Sequence, residues 1–295
     1  MAERRIGVIG GSGLYQMEGI HRKDQMKVDT PFGDPSDEID IGELEGREVV
    51  FLPRHGRGHR ILPSEINYRA NIWAMKKLGV EWIISVSAVG SLKKEIKPLD
   101  VVLVDQFFDR TKDGRRSTFF GDGVAGHIMF AHPVCSELRK VLYEVCQEEV
   151  KESKIHWGGT YLNMEGPAFS TKAESLIYKS WGVDVIGMTN LYEARLAREA
   201  EICYATMAMV TDYDCWIEDD IEAIVSVEVI IQNLNKNVEV VRRIIRKAIL
   251  KIPEERRCEC ASALRNAVIT RPGLIPKEKL EELELIVGKY VQRRR

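Results

Sequence analysis

The 295-residue chain is 44% hydrophobic and sets 43 Lys+Arg against 45 Asp+Glu, for a net charge of −2. That is enough apolar material for a large core, and the charge is too evenly balanced for a nucleic-acid or membrane-surface field. No apolar run nears the ~18 residues of a membrane span. The opening MAERRIGVIGG lacks a signal- or transit-peptide pattern, so a cytoplasmic protein with no nucleic-acid and no membrane partner is expected.

Short β-branched runs bounded by glycine or turn residues predict strands, and apolar spacing at three and four predicts helices. In chain order the first strand is Ile6–Ile9, followed by Glu48–Leu52 and a helix over Asn67–Leu78. Strands Trp82–Val86 and Val101–Val104 come next, and then a helix over Pro133–Glu149 that opens on a helix-starting proline. Strand Thr160–Met164, helix Lys172–Trp181, strand Val183–Met188 and helix Tyr192–Ala200 continue the alternation. Strand Cys203–Val210 and a long helix over Glu222–Leu250 complete it. The pattern predicts a single-domain α/β fold with a mixed, mostly parallel central sheet flanked by helices. That domain spans residues 1–270, and 271–295 form a C-terminal helical extension that is not an independent domain. After Pro253, RRCECA reads as a turn and Ser262–Ile269 as helical. Pro272-Gly273 breaks the pattern, Lys277–Tyr290 reads as one charged helix, and Arg293–Arg295 is a solvated basic tail.

The chemistry gathers where strands end. GGSG follows Ile9, PRHGRGH follows Leu52, SAVGS follows Val86, EGPAFS follows Met164, TN follows Met188 and TDYD follows Val210. Ligands of open α/β sheets bind outside the carboxyl ends of strands, so these clusters should converge. Gly10-Gly11-Ser12-Gly13 suits an anion, with backbone N–H groups and a hydroxyl as donors. A tight turn would use the same glycines. The dinucleotide fingerprint fails because its last glycine position, counted from Gly11, is Gln16, and no GK[ST] completes a Walker loop. Arg54 beside His55 offers a bidentate cation next to an imidazole. Ser87, Ala88 and Thr189 add hydroxyls and amides at other strand ends. With Ser12, Arg54 and His55 they describe a cradle for free phosphate. Asp212 and Asp214 could serve a metal, a sugar hydrolase, a helix cap or base recognition, where a carboxyl can act as general acid to a purine. Six cysteines are too few for a disulfide scaffold. Only Cys258 and Cys260 are close in sequence, with no second pair or His-x3-His nearby, so no metal is expected.

GGSGLY, TPFGDPSD, PRHGRGH, INYRANIWAMKKLG, SAVGSL, DQFFDRT, EGPAFST, GMT and TDYDCW, in this order, resemble the methylthioadenosine phosphorylases of the purine nucleoside phosphorylase family. The resemblance spans about Arg5 to Val227. It implies phosphorolysis of 5′-methylthioadenosine, with adenosine as a second substrate, to adenine and 5-methylthioribose 1-phosphate. It also implies inorganic phosphate as co-substrate, no metal or organic cofactor, and a homotrimer or hexamer. A 6-oxopurine nucleoside phosphorylase and a non-catalytic nucleotide-binding protein are the alternatives. By the same resemblance Ser12, Arg54, His55, Ser87, Ala88 and Thr189 hold phosphate, and Met188 lies against the ribose. Phe169 and Ser170 flank the base, and Asp212 and Asp214 recognise it, with Asp212, Arg54 and His55 catalytic. His127 reaches the sugar's 5′ end in a neighbouring subunit, and Val227 makes room for the methylthio group. Heat-adapted relatives imply disulfides, with Cys258/Cys260 and Cys135/Cys203 as the pairs. The chain departs from the family at Ala168, where arginine is usual, and at Asn190-Leu191-Tyr192, where Thr-Val-Pro is usual.

Overall fold

The computed structural model describes residues 5–11, 20–112, 116–217 and 227–291. Eleven strands form one mixed sheet flanked by seven α-helices among the described residues. Its spine is β5 (Val80–Ser91), which runs parallel to β1 (Arg5–Gly10) on one side and to β11 (Cys203–Asp212) on the other. Beyond β1 lies β4 (Arg47–Pro53), parallel to β1. β3 (Ile39–Leu44) and β2 (His21–Met26) extend that edge antiparallel. β10 (Val185–Gly187), β9 (Thr160–Asn163) and β7 (Gln106–Asp109) form a second, parallel wing. Short β6 (Val101–Leu103) and β8 (Ile155–Trp157) continue the sheet from β11.

The central strands are buried on both faces, as parallel sheets require, and all ten residues of β11 are buried. Helices α1 (Tyr68–Lys77) and α4 (Asn190–Glu199) share one core layer with Ile9, Leu52 and Ile83. On the other face, α2 (Ser136–Glu149) and α5 (Val227–Lys251) pack over Val8, Phe51 and Ile84. α3 (Lys172–Ser180) opens on a full capping box made by Thr171 and Glu174.

The seven expected strands and the five expected helices from Asn67–Leu78 to Glu222–Leu250 are present with shifted ends, residues 222–226 of the last lying outside the described residues. β5 runs five residues past Val86, so the SAVGS cluster is strand, not loop. α4 starts at Asn190 without the family's proline. The helix expected over 262–269 is instead a 3-10 turn at Glu259–Ser262 followed by irregular chain. Glu201 Oε1 accepts the Leu264 N–H at 3.0 Å there, which satisfies backbone that a helix would have paired. The single helix expected over 277–290 breaks at Leu283 into α6 (Lys277–Glu282) and α7 (Glu284–Val291). That break carries Leu283 into the core layer of α1 and α4, together with Ile286, Val287 and Val291. Strands β2, β3, β7 and β8 lacked a strong apolar run and escaped the sequence pattern. No helix among the described residues is long and apolar enough to cross a membrane.

Candidate active site

The site begins with a change of partner along β5. One edge of β5 pairs with β1 as far as Ser85 and with β10 only at Gly90 and Ser91. Residues Val86–Val89 therefore have no ladder partner on that edge among the described strands. The gap opens a cavity of about 730 Å³ at the carboxyl ends of the strands. Arg54, His55, Ser87, Ala88, Phe169, Met188, Thr189, Asp212 and Asp214 all line it. Nine positions singled out from sequence thus converge, as the strand-end rule requires. Ser12 and the side chain of Val227 lie outside the described residues. Ser170, next to the lining residue Phe169, is not among the lining residues, and its Oγ lies 3.9 Å from Met164 Sδ.

Arg54 leaves β4 directly into this space and is 2% exposed. Its Nε donates to Glu193 Oε1 at 2.5 Å and its Nη2 to Glu193 Oε2 at 3.0 Å. Nη2 also donates to Ser85 Oγ at 2.7 Å, and Nη1 donates to the Val86 carbonyl at 2.8 Å. Four of the five guanidinium N–H groups are committed, and one Nη1–H has no partner among the described residues. The bidentate partner expected to be phosphate is therefore Glu193, on the first turn of α4. A buried carboxylate outcompetes any exchangeable anion for the fork because it is always present. Burial lowers the affinity of the guanidinium for its proton, and Glu193 more than restores it.

His55 accompanies Arg54 with its ring stacked on His59, 4.3 Å between centroids. Its Nδ1 lies 2.9 Å from the Ile61 carbonyl, which can only accept, so Nδ1 carries the proton and Nε2 is the free lone pair. Burial, and then the Arg54 charge, push its pKa down to about 4. Thr189 stands at the N-cap position of α4 without a side-chain capping bond, and its N–H donates to Tyr161 OH at 3.3 Å. Gly187 is required beneath it, because a Cβ there would stand 2.0 Å from the same hydroxyl.

At the opposite wall a bulge between Val210 and Asp212 ends β11 and re-aims the chain. Asp212 Oδ1 accepts the Asp214 N–H at 2.8 Å, and Oδ2 accepts from Thr211 Oγ1 at 2.7 Å. Asp214 has a left-handed φ of 51°, a conformation aspartate tolerates, and it accepts from Ser175 Oγ. Burial raises the pKa of both carboxyls, and no Lys or Arg pairs with either among the described residues. Gly90 makes room for them, since its Cβ would lie 3.0 Å from Asp212 Oδ1. Ile231, Leu234 and Val238 of α5 give the cavity an apolar side, with the buried Asn237 amide nitrogen unpartnered among the described residues.

A profile of the phosphorylase superfamily matches residues 5–250. The chain belongs to the phosphorylase superfamily. Within it, the chain belongs with the methylthioadenosine phosphorylases. It is 58% identical over 289 residues to the S-methyl-5′-thioadenosine phosphorylase of Geobacter sulfurreducens, covering 98% of this chain and 100% of that one. The enzyme of the same name from Koribacter versatilis is 55% identical, over 98% and 97% of the two chains. Among solved structures, a methylthioadenosine phosphorylase from an Antarctic soil metagenomic library superposes with a TM-score of 0.91. Its identity is 46%, over 97% of this chain and 99% of that one. A Schistosoma mansoni adenosine/methylthioadenosine phosphorylase in complex with methylthioadenosine gives 0.82 at 36% identity, over 88% and 96%.

The phosphorylase fold explains what the sequence pattern missed. Glu193 reads from sequence as an ordinary acid in a helix's first turn, a position favoured by the helix dipole. Ser85 and Asn190 read as core. In the structure Asn190 Nδ2 reaches Ser85 Oγ, Tyr204 OH and Thr206 Oγ1 at 2.8 to 3.0 Å, behind the Arg54–Glu193 pair. The departure from Thr-Val-Pro thus supplies a polar brace instead of a preset helix start. Tyr192, in the same tripeptide, donates to Thr111 Oγ1 at 2.7 Å, and its ring lies tilted against Tyr68, 5.1 Å between centroids. His127 does not reach the cavity of its own chain. It is exposed on a loop pinned through its N–H to the Ala267 carbonyl at 2.9 Å.

All six cysteines are free thiols, so the expected Cys258/Cys260 and Cys135/Cys203 disulfides are absent from this structure. The expectation of no metal counted ligands along the sequence alone. The fold supplies the missing second pair, gathering Cys135 and Cys203 beside Cys258 and Cys260.

Proposed function

We propose that the protein cleaves 5′-methylthioadenosine with inorganic phosphate, releasing adenine and 5-methylthioribose 1-phosphate. One observation carries this reading: anion donors and two uncompensated carboxyls face each other across a single nucleoside-sized cavity. Phosphate sits against Ser87, the Ala88 amide, Thr189 and the remaining Arg54 N–H. His55 Nε2 accepts from a protonated phosphate oxygen. The ribose lies over Met188, the base between Phe169 and the aspartates, and the methylthio group against the apolar side of α5. As the C1′–N9 bond lengthens, phosphate charge stabilises the oxocarbenium-like sugar. Asp212, with its raised proton affinity, donates toward N7 of the departing purine, and a phosphate oxygen closes on C1′. Inorganic phosphate is the co-substrate, and the chemistry uses no metal or organic cofactor.

Adenine is favoured over hypoxanthine because a carboxylate can accept from N6–H, whereas a 6-oxo group would face carboxylate oxygen unpaired. That mismatch costs on the order of 1–3 kcal/mol, so inosine should react roughly ten- to a hundredfold more slowly than adenosine. The working form we infer is a cytoplasmic homotrimer or hexamer in which His127 serves a neighbour's cavity. Its exposure, near the exposed Met129 and Ile269, supports this. Purine release from methylthioadenosine, adenosine and inosine, with and without phosphate, tests the function. Release of adenine that ignores phosphate, or no release, overturns the proposal. Agreement of kcat/KM between inosine and adenosine within about threefold overturns the base assignment. Light scattering that finds a fully active monomer overturns the role of His127.

A further inference from the structure

The four cysteines gathered by the fold lie far from the cavity. Cys135 precedes α2 and Cys203 opens β11, while Cys258 and Cys260 flank the start of the 3-10 turn. Cys203 and Asp212 stand at opposite ends of β11, about 30 Å apart at the usual rise per strand residue. All four Sγ atoms lie within 4.8 Å of one another, and Cys203 and Cys258 approach to 3.3 Å. Three of the four cysteines are buried. A tetrahedral zinc–thiolate centre, with Zn–S of 2.3 Å, places its sulfurs about 3.8 Å apart. The cluster therefore already has the dimensions of such a centre. Its ligands come as one Cys-x-Cys pair and two single residues from separate elements.

We propose that Cys135, Cys203, Cys258 and Cys260 bind one structural zinc ion. Four thiols give up four protons to solvent and form four Zn–S bonds, with no change of oxidation state. An all-sulfur tetrahedral set suits Zn2+, and a closed set leaves no open position for substrate or water. The ion ties the chain after α5 to the start of β11 and of α2. The Cys135 N–H already donates to the Tyr204 carbonyl at 2.8 Å, so two of the three tethered segments are registered before metal arrives. The role is structural and leaves the chemistry at the far end of β11 untouched.

Protein made in zinc-containing medium and purified without chelator should contain about one zinc per chain by mass spectrometry of metals. A mercurial thiol reagent should release it. Refolding with Co2+ in place of zinc should give the strong visible absorption of tetrahedral cobalt–thiolate, a readout that needs no variant. The Cys258→Ser/Cys260→Ser variant should lose the metal and melt at lower temperature, with kcat/KM for methylthioadenosine unchanged. Four metal-free thiols after refolding in excess zinc would overturn the proposal. So would fresh protein whose mass and peptide map show the same cysteines joined in two disulfides.

Discussion

The two polar walls of the cavity are built in opposite ways. At one, Arg54 is neutralised by Glu193, and four of its five donors are satisfied before any ligand arrives. At the other, Asp212 and Asp214 are buried with raised pKa values and no cation among the described residues. The difference follows from what each ligand does during the proposed reaction. Phosphate keeps its charge until it attacks, so a rigid, preorganised set of donors serves it. The purine gains negative charge as it leaves, so the group facing it must be able to give up a proton.

The contrast predicts that the walls fail differently. Arg54→Ala should remove activity and also destabilise the fold by about 3–5 kcal/mol, because it strands the buried Glu193 carboxylate. Denaturant midpoints for this variant within error of the parent would show that the pair is not the structural element described. Asp212→Asn should instead melt close to the parent while kcat/KM for methylthioadenosine falls by about 10²–10⁴, the usual share of a general acid. The same variant should narrow or invert the gap between inosine and adenosine, since an amide can donate to a 6-oxo group. Loss of stability that matches the loss of activity would make Asp212 a packing residue.

His55 sharpens the comparison through pH. Its pKa is about 4 in the fold against 6.5 when unfolded, so between these values the unfolded chain binds more protons. Stability should therefore be flat above pH 6.5 and fall by about 2–3 kcal/mol toward pH 4 through this residue. His55→Gln should flatten that part of the curve, and urea titrations across the range read it directly. The smallest effect concerns Glu193→Gln, which leaves the Arg54 charge uncompensated at the phosphate wall. Added phosphate should raise the melting temperature of this variant more than that of the parent, by roughly 2–4 °C for about 1 kcal/mol of extra binding. Equal phosphate shifts in the two proteins would mean that Arg54 does not sense the anion.

The alternation of apolar runs was enough to read the α/β class, and the small and charged residues after each run located the cavity, because strand carboxyl ends converge in such sheets. Arg54, His55, Ser87, Ala88, Thr189, Asp212 and Asp214 were legible for that reason. Glu193 was not, since an acid in a helix's first turn carries no mark of the guanidinium it will meet 139 positions away. The edge strands β2, β7 and β8 were hidden because partly exposed strands need no continuous apolar run. The four-cysteine cluster was hidden by distance along the chain. By itself the sequence determined which residues are polar at strand ends and which runs must be buried, since both follow from local pattern. Only the tertiary structure decided which charges neutralise each other and which thiols meet, because those pairings depend on where β5 changes partner and where the chain after α5 returns to β11.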